Sequence, residues 1–244
     1  MPNPIALPGA SVVITGAARG IGYATARAFL ARGARVFIGD LDGDLARTAA
    51  AELGCSGGQV DVRSRESLGE FLAGVEPPVQ VLVNNAGIMP AGRFVDEPDA
   101  VTDAIVDVNL NGVFFGMRYQ IPAMLKAGGG SIINIASILG QVGFVTASAY
   151  VTAKHGVVGL SRNAGIEYAQ QGIRVNAVGP AFIRTPLLTN NLNEEQLEGI
   201  GAMHPIGRLG TPDEVAELVV WLAGDRSSFV TASYYAVDGG YLAK

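Results

Sequence analysis

Short β-branched segments alternate along this chain with longer, alanine-rich segments of helical periodicity. The predicted strands are Ser11–Thr15, Arg35–Gly39, Gln59–Asp61, Val79–Val83, Ser131–Ala136, Ile173–Val178 and Ser233–Val237. The predicted helices are Gly20–Arg32, Gly43–Leu53, Ser64–Gly74, Ala100–Lys126, Ser148–Gln170 and Pro212–Leu222. The strands are apolar on both faces, which is typical of a parallel sheet covered by helices on both sides. Because no linker or repeat divides the chain, we predict one doubly wound α/β domain over residues 1–244.

Composition narrows the class of protein. Apolar residues make up 49% of the 244 positions, which is enough for a sizeable core. The net charge of −5 and the lack of any basic block argue against a nucleic-acid partner. The single Cys55 cannot form an internal disulfide, which indicates a reducing compartment. No signal peptide and no apolar run of about 20 residues is visible, so we expect a soluble cytoplasmic protein without a membrane span.

A glycine-rich turn joins the first predicted strand to the first predicted helix. Gly16, Gly20 and Gly22 are spaced G-x-x-x-G-x-G within the segment TGAARGIG. Glycines at such a junction let the backbone turn tightly and approach a pyrophosphate at the positive end of the helix. A turn that binds nothing is the alternative, because glycine clusters alone are weak signals. The position directly after strand 1 favours a dinucleotide site.

Asp40 at the end of the second strand suits the same cofactor. A dinucleotide-binding fold needs an acceptor there for the ribose hydroxyls of the adenosine, although a solvated strand-end acid would look the same. Asp42 follows closely, so a 2′-phosphate would meet two carboxylates, and this favours NAD over NADP. Arg19 acts in the opposite direction because it could pair with that phosphate. We expect the effect of Asp40 to be the larger one. Placing a desolvated phosphate against a carboxylate costs more free energy than pairing with one mobile arginine recovers.

A set of motifs in a fixed order resembles the classical short-chain dehydrogenase/reductase family. The matching elements are TGAARGIG at 15–22, Asp61-Val62, NNAG at 84–87, Asn109, Ser137, Tyr150-x-x-x-Lys154 and PAFIRT at 180–185. The resemblance covers essentially the whole chain, and the C-terminal half looks most like bacterial NAD-dependent secondary alcohol dehydrogenases and carbonyl reductases. It implies a Rossmann-type sheet of order 3-2-1-4-5-6-7 and a homotetramer.

The resemblance also implies which residues contact the cofactor. They are Gly16, Arg19, Gly20, Ile21, Gly22, Asp40, Leu41, Asp61, Val62, Asn85, Ala86, Gly87, Tyr150, Lys154, Pro180, Ile183 and Thr185. Asp61 and Val62 would lie at the adenine, and Ile183 and Thr185 near the nicotinamide carboxamide. One position departs from the family, which usually has Pro-Gly where this chain has Pro180-Ala181. Ala181 would either strain a backbone that needs glycine or narrow the pocket, and we favour the second.

Tyr150 and Lys154 form a possible proton-transfer pair, because residues four apart share one face of a helix. Exchange of a hydride between an alcohol and a ketone needs a group that moves the hydroxyl proton. A tyrosine of pKa about 10 is a poor base, but a cation about 4 Å away at an effective dielectric near 20 offers about 4 kcal/mol, enough for about three pKa units. Desolvation opposes this effect. An ordinary surface pair is the alternative.

Two further residues complete the predicted catalytic set. Ser137 ends a strand that points into the crevice where open α/β sheets bind ligands, so its hydroxyl could hydrogen-bond the substrate oxygen. The family resemblance implies that Asn109 holds a water linking Lys154 to solvent, and that Lys154 also binds the nicotinamide ribose. The catalytic prediction is therefore Asn109, Ser137, Tyr150 and Lys154.

Apolar residues dominate the predicted substrate pocket. They are Ile138, Leu139, Val142, Phe144, Met89, Leu187, Leu188 and Leu192, with Gln141 as the main polar exception. No cation obviously faces this pocket, although Arg184 is uncertain. We therefore expect an uncharged, fairly apolar ketone or secondary alcohol as the small-molecule substrate. The polar segment Thr185–Met203 is predicted to be a mobile lid.

The remaining candidates for chemistry have ordinary explanations. His155 and His204 are predicted to be packing or interface residues, and no His/Cys/Asp set suggests a metal. Ser148 and Ser161 are predicted to lie on a helix surface or cap, and Cys55 has no activating motif. Gly156, Gly159 and Gly165 weaken one predicted helix, which suggests close packing against another helix, such as one from a second subunit.

Two other functions are alternatives to a dehydrogenase. A nucleotide-sensing protein could keep the fold without catalysis, but a pure binder has no need of Asn109, Ser137, Tyr150 and Lys154 together. Sugar epimerases and dehydratases on a similar fold resemble longer chains with another glycine spacing and an added substrate domain, for which 244 residues leave no room.

Overall fold

The structure is a computed structural model that describes residues 5–76, 78–190 and 192–244. The first four residues, part of the segment searched for a signal peptide, and Asn191 in the predicted lid lie outside the described residues. The strands are β1 Ser11–Thr15, β2 Arg35–Asp40, β3 Ser56–Gln59, β4 Val81–Asn84, β5 Gly130–Ile135, β6 Ile173–Pro180 and β7 Tyr234–Val237. The helices are α1 Gly20–Leu30, α2 Gly43–Leu53, α3 Arg65–Ala73, α4 Asp99–Val106, α5 Gly112–Ala127, α6 Ser148–Glu167, α7 Pro186–Thr189, α8 Glu194–Ala202 and α9 Pro212–Ala223.

All seven strands form one parallel sheet in the order β3-β2-β1-β4-β5-β6-β7. Helices α1, α2 and α9 pack on one face of the sheet, and α3, α5 and α6 pack on the other. β1, β4 and β5 are buried along their whole length, as expected for strands covered on both faces. The predicted fold class and strand order are confirmed. The carboxyl ends of the strands consequently meet at one edge, where ligands bind in such sheets.

Strand β3 is displaced from its predicted position at Gln59–Asp61. It begins at Ser56 and pairs with β2 through Gly57 and Gly58, which have no β-branched side chains to reveal a strand. Gly57 is required by packing, because a Cβ there would lie 2.7 Å from Cβ of Ala50 on α2. The strand is therefore determined by close contact with a helix rather than by its own β propensity.

The long helix predicted at Ala100–Lys126 is interrupted. A π-helical turn at Asp107–Asn111 separates α4 from α5. The predicted lid also differs from a plain polar loop, since it contains α7 and α8. Asn193 and Gln196 form a capping box at the start of α8, and Leu197 buries its side chain. One buried leucine among polar residues gives little sequence signal for that helix.

The three glycines of α6 have different surroundings. A Cβ at Gly156 would meet the Leu110 side chain at 2.9 Å, and a Cβ at Gly165 would meet the Ala232 backbone nitrogen at 2.6 Å. Gly159 has no atom within 4 Å of such a Cβ. Packing within the chain thus accounts for two of the glycines that suggested a second helix. The prediction for Ser161 is wrong, because its side chain is buried and its Oγ accepts a hydrogen bond from Asn134 Nδ2 at 2.9 Å.

We expect Gly165→Ala to destabilise the fold by about 1–3 kcal/mol, because the new methyl group must displace backbone. Gly199→Ala is the matched control: Gly199 is also inside a helix, but nothing lies within 4 Å of its added Cβ. That variant should gain about 0.5–1 kcal/mol from helix propensity. Urea unfolding followed by circular dichroism measures both changes. Equal stabilities of the two variants would contradict the close contact at Gly165.

Candidate active site

Tyr150 and Lys154 lie on the first turns of α6, facing the end of β5. The Lys154 side chain is only 3% exposed, and its Nζ donates a hydrogen bond of 2.8 Å to the Ile135 carbonyl. The same nitrogen lies 5.5 Å from the centroid of the Tyr150 ring. The structure therefore brings the two residues together around the exit of β5.

Burial acts on both groups. It raises the pKa of Tyr150 to about 12, while a hydrogen bond with the Ser137 side chain acts in the opposite direction. Burial also lowers the pKa of Lys154 to about 8. The lowering of the phenol pKa expected from the Lys154 charge is therefore not found. In the structure desolvation is the larger effect on each group, and the fully packed ammonium is bound to the Ile135 carbonyl. Tyr150 is thus a neutral phenol at pH 7.

Ser137 immediately follows β5, with an extended backbone (φ −170°, ψ 163°). Its Oγ accepts a hydrogen bond of 3.1 Å from the Leu139 amide and so caps the short 3-10 turn Ile138–Gly140. The same side chain hydrogen-bonds Tyr150. Ser137, Tyr150 and Lys154 therefore form one contiguous group at the carboxyl edge of the sheet.

Asn109 is fully buried in the π-helical turn. Its Nδ2 donates to the carbonyls of Ile105 and Ile88, both at 2.9 Å, and its Oδ1 accepts from the Ile88 amide at 3.3 Å. A Cβ on Gly87 would lie 2.8 Å from Asn109 Oδ1 and 3.8 Å from Lys154 Nζ. Asn109 thus ties the π-helical turn to the segment after β4, close to Lys154. Such turns are frequent at functional sites.

The glycine loop is locked against the end of β4. Gly16 and Gly20 have positive φ values of 62° and 60°, a conformation that favours glycine. Asn85 Nδ2 donates to the carbonyls of Thr15 and Gly16 at 2.9 and 2.8 Å. A Cβ at Gly16 would lie 2.6 Å from the Ala86 Cα, so the loop and this segment touch. Asn85 and Ala86 therefore support the loop, a packing role that the motif alone did not reveal.

The start of α1 offers the features of an anion site. The helix begins at Gly20, and Arg19 at the N-cap makes no side-chain hydrogen bond to the first turn. The amides of Gly20, Ile21 and Gly22 precede any intrahelical partner, as at every helix start. Thr185, after β6, comes within 3.5 Å of a Cβ placed on Gly20. Gly20 and Thr185, two predicted cofactor residues far apart in the sequence, are thus close together at the glycine loop.

Asp40 is held in place at the end of β2. Its Oδ2 accepts from the Ala18 amide of the glycine loop at 3.2 Å, and its Oδ1 accepts from the Asp42 amide at 3.4 Å. The carboxylate of Asp42 caps α2 by accepting from Leu45 at 3.0 Å. The Asp42 side chain therefore has a structural role, and Asp40 is the acid that the glycine loop orients.

The other predicted cofactor residues border the same edge. Asp61 pairs with Arg63, which lowers the pKa of that carboxyl, and Leu41 is exposed. The remaining members of this group are Val62, buried against Gly112; Pro180, the last residue of β6; and Ile183, buried against Gly210. Ala181 does not have positive φ; among the described residues only Thr146 and Ala232 do so without being glycine. The strain considered for Ala181 is therefore absent.

An apolar cluster surrounds the candidate proton donor. Tyr150 packs with Ile138, Leu139 and Met89, and with Phe144, all predicted for the pocket or the catalytic set. Sequence reasoning missed the outer part of this cluster, which contains Phe182, Tyr241 and Leu242. The His204 ring meets the Phe182 ring edge to face and the Tyr241 ring at a tilt. Phe182 lies within PAFIRT, but the motif does not reveal its contacts with His204 and Tyr241, which form only in the folded chain. His155 is exposed, and its Nδ1 lies 2.9 Å from the Val151 carbonyl.

The described residues offer neither a metal site nor a membrane-spanning helix. They contain no group of three or more His, Cys, Asp and Glu residues placed to hold a metal ion. Over the same ranges, no helix is both long and apolar enough to cross a membrane. Burial raises the pKa of the Cys55 thiol, so nothing there activates it as a nucleophile.

Comparison with known proteins identifies the class. Residues 16–242 match the family model described as enoyl-(acyl carrier protein) reductase. The chain belongs to the short-chain dehydrogenase/reductase family, as the ordered motifs predicted. It is an oxidoreductase of that family, whose members act on alcohols or ketones with a nicotinamide dinucleotide.

Three similar proteins illustrate the range of relatives. A cyclohexanol dehydrogenase from Acinetobacter sp. (strain SE19) is 40% identical over 95% of this chain and 94% of the relative. A cis-4-hydroxycyclohexanecarboxylate dehydrogenase from Sinomonas cyclohexanicum is 41% identical over 95% and 96%. A solved structure from Beutenbergia cavernae with NADP bound at low occupancy superposes with a TM-score of 0.91, at 34% identity over 99% and 100% of the two chains.

The buried ammonium predicts a pH dependence of stability. The folded pKa of Lys154, about 8, lies below its ordinary value of 10.5. Between these values the unfolded chain holds a proton that the folded chain has lost, so the free energy of unfolding should rise with pH. From pH 7.5 to 10 we expect Lys154 to contribute an increase of about 2 kcal/mol. The contribution of Tyr150 has the opposite sign but begins only near pH 10.

Urea unfolding of wild type and Lys154→Met across this range measures the effect. The difference in free energy of unfolding between wild type and Lys154→Met should change with pH. It should stay constant for Lys126→Met, which removes an exposed lysine at the end of α5. A constant difference for both variants would show that Lys154 is not desolvated.

Proposed function

We propose that this protein transfers a hydride between NAD(H) and an uncharged, fairly apolar secondary alcohol or the corresponding ketone, with Tyr150 as the general acid/base. The observation that carries the proposal is the buried Lys154, whose Nζ lies beside the Tyr150 ring while Tyr150 hydrogen-bonds Ser137. A structural role alone gives no reason to bury an ammonium next to a phenol, because desolvating a charge is costly. Buried titratable pairs of this kind concentrate at functional sites.

The described residues fit a dinucleotide. The amides at the start of α1 would hold the pyrophosphate, and Asp40 would accept from the adenosine ribose. The family resemblance implies that Ile183 and Thr185 would lie on the nicotinamide side, and Thr185 approaches Gly20 of the glycine loop from the end of β6. When bound, the nicotinamide ring would supply or accept the hydride.

The protein's own part of the reaction is proton transfer. In the reductive direction, the neutral Tyr150 phenol gives its proton to the carbonyl oxygen as the hydride reaches the carbonyl carbon. The high pKa of the phenol keeps this proton available at neutral pH. Ser137 hydrogen-bonds the same oxygen and stabilises the charge that develops there. The Lys154 ammonium favours the tyrosinate left behind, which is also the form needed to oxidise an alcohol.

The substrate proposal follows from the apolar cluster around Tyr150. Ile138 and Leu139 form the buried part of the wall, and Phe144 and Phe182 pack edge to face at 5.8 Å. Arg184, the cation considered for this pocket, lies 3.5 Å from the carboxylate of Glu194. Two relatives are named for alcohols on six-membered rings. We therefore favour an uncharged cyclic secondary alcohol such as cyclohexanol over its carboxylated counterpart.

We expect NADH formation, followed at 340 nm, when the protein is mixed with NAD⁺ and cyclohexanol. Tyr150→Phe should lower kcat by at least about 10²-fold because the proton acceptor is lost, while NADH binding measured by fluorescence is retained. Tyr119→Phe, a partly exposed tyrosine on α5, is the matched control and should keep the wild-type rate. A Tyr150→Phe variant with near-normal turnover would refute the role of Tyr150. NADH binding without turnover of any alcohol in a wider panel would instead support the nucleotide-sensing alternative.

The cofactor preference rests on Asp40. Because the Ala18 amide orients its carboxylate, a 2′-phosphate at the ribose would lie against a fixed negative charge. We expect kcat/KM to favour NAD⁺ over NADP⁺ by about tenfold or more, and Asp40→Ala to narrow or reverse that ratio. Asp44→Ala removes a nearby exposed carboxylate on α2 as the control for net charge and should leave the ratio unchanged. A wild-type preference for NADP⁺ would overturn the argument.

We also propose that the protein is a homotetramer. Large apolar side chains remain exposed on several helices and near the sheet edge, including Phe114, Ile166, Trp221 and Phe229. Burial of such side chains against other subunits would remove this apolar surface from water. Sedimentation equilibrium at micromolar protein should give four times the 25.2 kDa mass of the chain. Ile166→Glu should shift the distribution toward smaller species, and a wild-type protein of monomer mass would contradict the proposal.

A further inference from the structure

Tyr234 reaches the active site from the far edge of the sheet. It belongs to β7, and its Oη donates a hydrogen bond of 3.1 Å to the backbone carbonyl of Ser137, at the end of β5. The strand between them is β6, which the phenol must cross. Burial and the Asp238 carboxylate both raise the pKa of Tyr234, so the phenol keeps its proton and remains a donor.

The crossing depends on a glycine. A Cβ on Gly179 in β6 would lie 1.9 Å from the Tyr234 Oη and 2.2 Å from its Cζ. Any side chain at position 179 would therefore occupy the space that the phenol now fills. Gly179 does not have positive φ, so its backbone conformation is open to other residues. The space for Tyr234 is accordingly the physical reason for a glycine here.

The bond from Tyr234 is one of several hydrogen bonds that hold the end of β5, where residues 135, 136 and 137 each have a partner. The Ile135 carbonyl accepts from Lys154 Nζ at 2.8 Å, and the Ala136 amide donates to Val178 at 2.7 Å. Ser137 comes next, where the strand ends and the 3-10 turn begins. Its carbonyl is bound by Tyr234, and its Oγ accepts from the Leu139 amide. Tyr234 thus restrains the peptide that sets the direction of the Ser137 side chain.

We propose that Tyr234 is a positioning residue for Ser137: its hydroxyl holds the Ser137 carbonyl and thereby aims the serine hydroxyl at the reacting oxygen. Tyr234 itself is not assigned a contact with substrate. This inference rests on the proposed function, since it takes Ser137 as the residue that binds the oxygen.

A double-mutant cycle on Tyr234→Phe and Ser137→Ala tests the coupling. Tyr234→Phe keeps the ring and removes only the hydroxyl, so we expect kcat with cyclohexanol and NAD⁺ to fall about three- to tenfold. NADH binding by fluorescence should be unchanged. In the Ser137→Ala background the same substitution should have no further effect on kcat, because the group that it positions is gone. Tyr235→Phe is the control, since Tyr235 packs against Trp221 on the opposite face of the sheet.

The outcomes separate this inference from the function on which it rests. A Ser137→Ala variant with wild-type kcat would remove Ser137 from the reaction and overturn both assignments for that residue. An impaired Ser137→Ala together with a wild-type Tyr234→Phe would overturn the positioning role alone. Losses that multiply in the double variant would also overturn it, because a merely structural hydrogen bond acts independently of the serine. Thermal unfolding of every variant confirms that the folded proteins are being compared.

Discussion

The burial of one positive charge constrains much of this structure. An ammonium taken from water is costly unless a polar group replaces the lost solvent. For Lys154 that group is the Ile135 carbonyl, the last residue of β5. The need for this contact fixes the distance between α6 and the strand end, and so fixes where Tyr150 lies. Glycine at position 87 leaves room for the neighbouring Asn109 side chain, since a Cβ there would lie 2.8 Å from Asn109 Oδ1.

A second attachment holds α6 two turns further along. Asn84 Nδ2 donates to Asn134 Oδ1 at 2.8 Å, and Asn134 Nδ2 donates to Ser161 Oγ at 2.9 Å. This buried polar chain runs from β4 through β5 to the helix. Buried amides of this kind are costly when unpaired and specific when paired, because only one arrangement satisfies them all. Helix α6 is therefore fixed both at the Lys154 ammonium and at Ser161, which limits its sliding along the sheet.

Patterns within a few residues predicted local features well. The bounds of α2 and β1 follow directly from the strong periodicity at Gly43–Leu53 and Ser11–Thr15. The spacing of Tyr150 and Lys154 likewise placed them on one helix face. The start of strand β3 was not predicted, because Gly57 and Gly58 carry no strand signal. The short helix α8 was not predicted either, because its only buried large apolar residue is Leu197.

Tertiary effects account for the remaining differences. The raised pKa of Tyr150 depends on how much solvent the folded chain removes, which spacing does not report. The burial of Ser161 likewise depends on Asn134, a residue of β5 that lies opposite it only in the folded chain. Tyr234 is 97 positions from Ser137, and their contact depends on the missing side chain at Gly179. Such contacts are properties of the assembled sheet rather than of any local segment.

The π-helical turn at Asp107–Asn111 makes the orientation of α4 relative to α5 depend on the number of residues in the turn. It places α4 and α5 out of phase, so that α4 packs beside α6 while α5 packs beside α3 and the sheet. Deleting one residue from the turn would rotate α4 by about 100° relative to α5. The Ile105 carbonyl would then move away from Asn109 and lose the hydrogen bond that it now accepts from Asn109 Nδ2. The number of residues in this segment therefore matters to the arrangement of the site as much as the identity of Asn109 does.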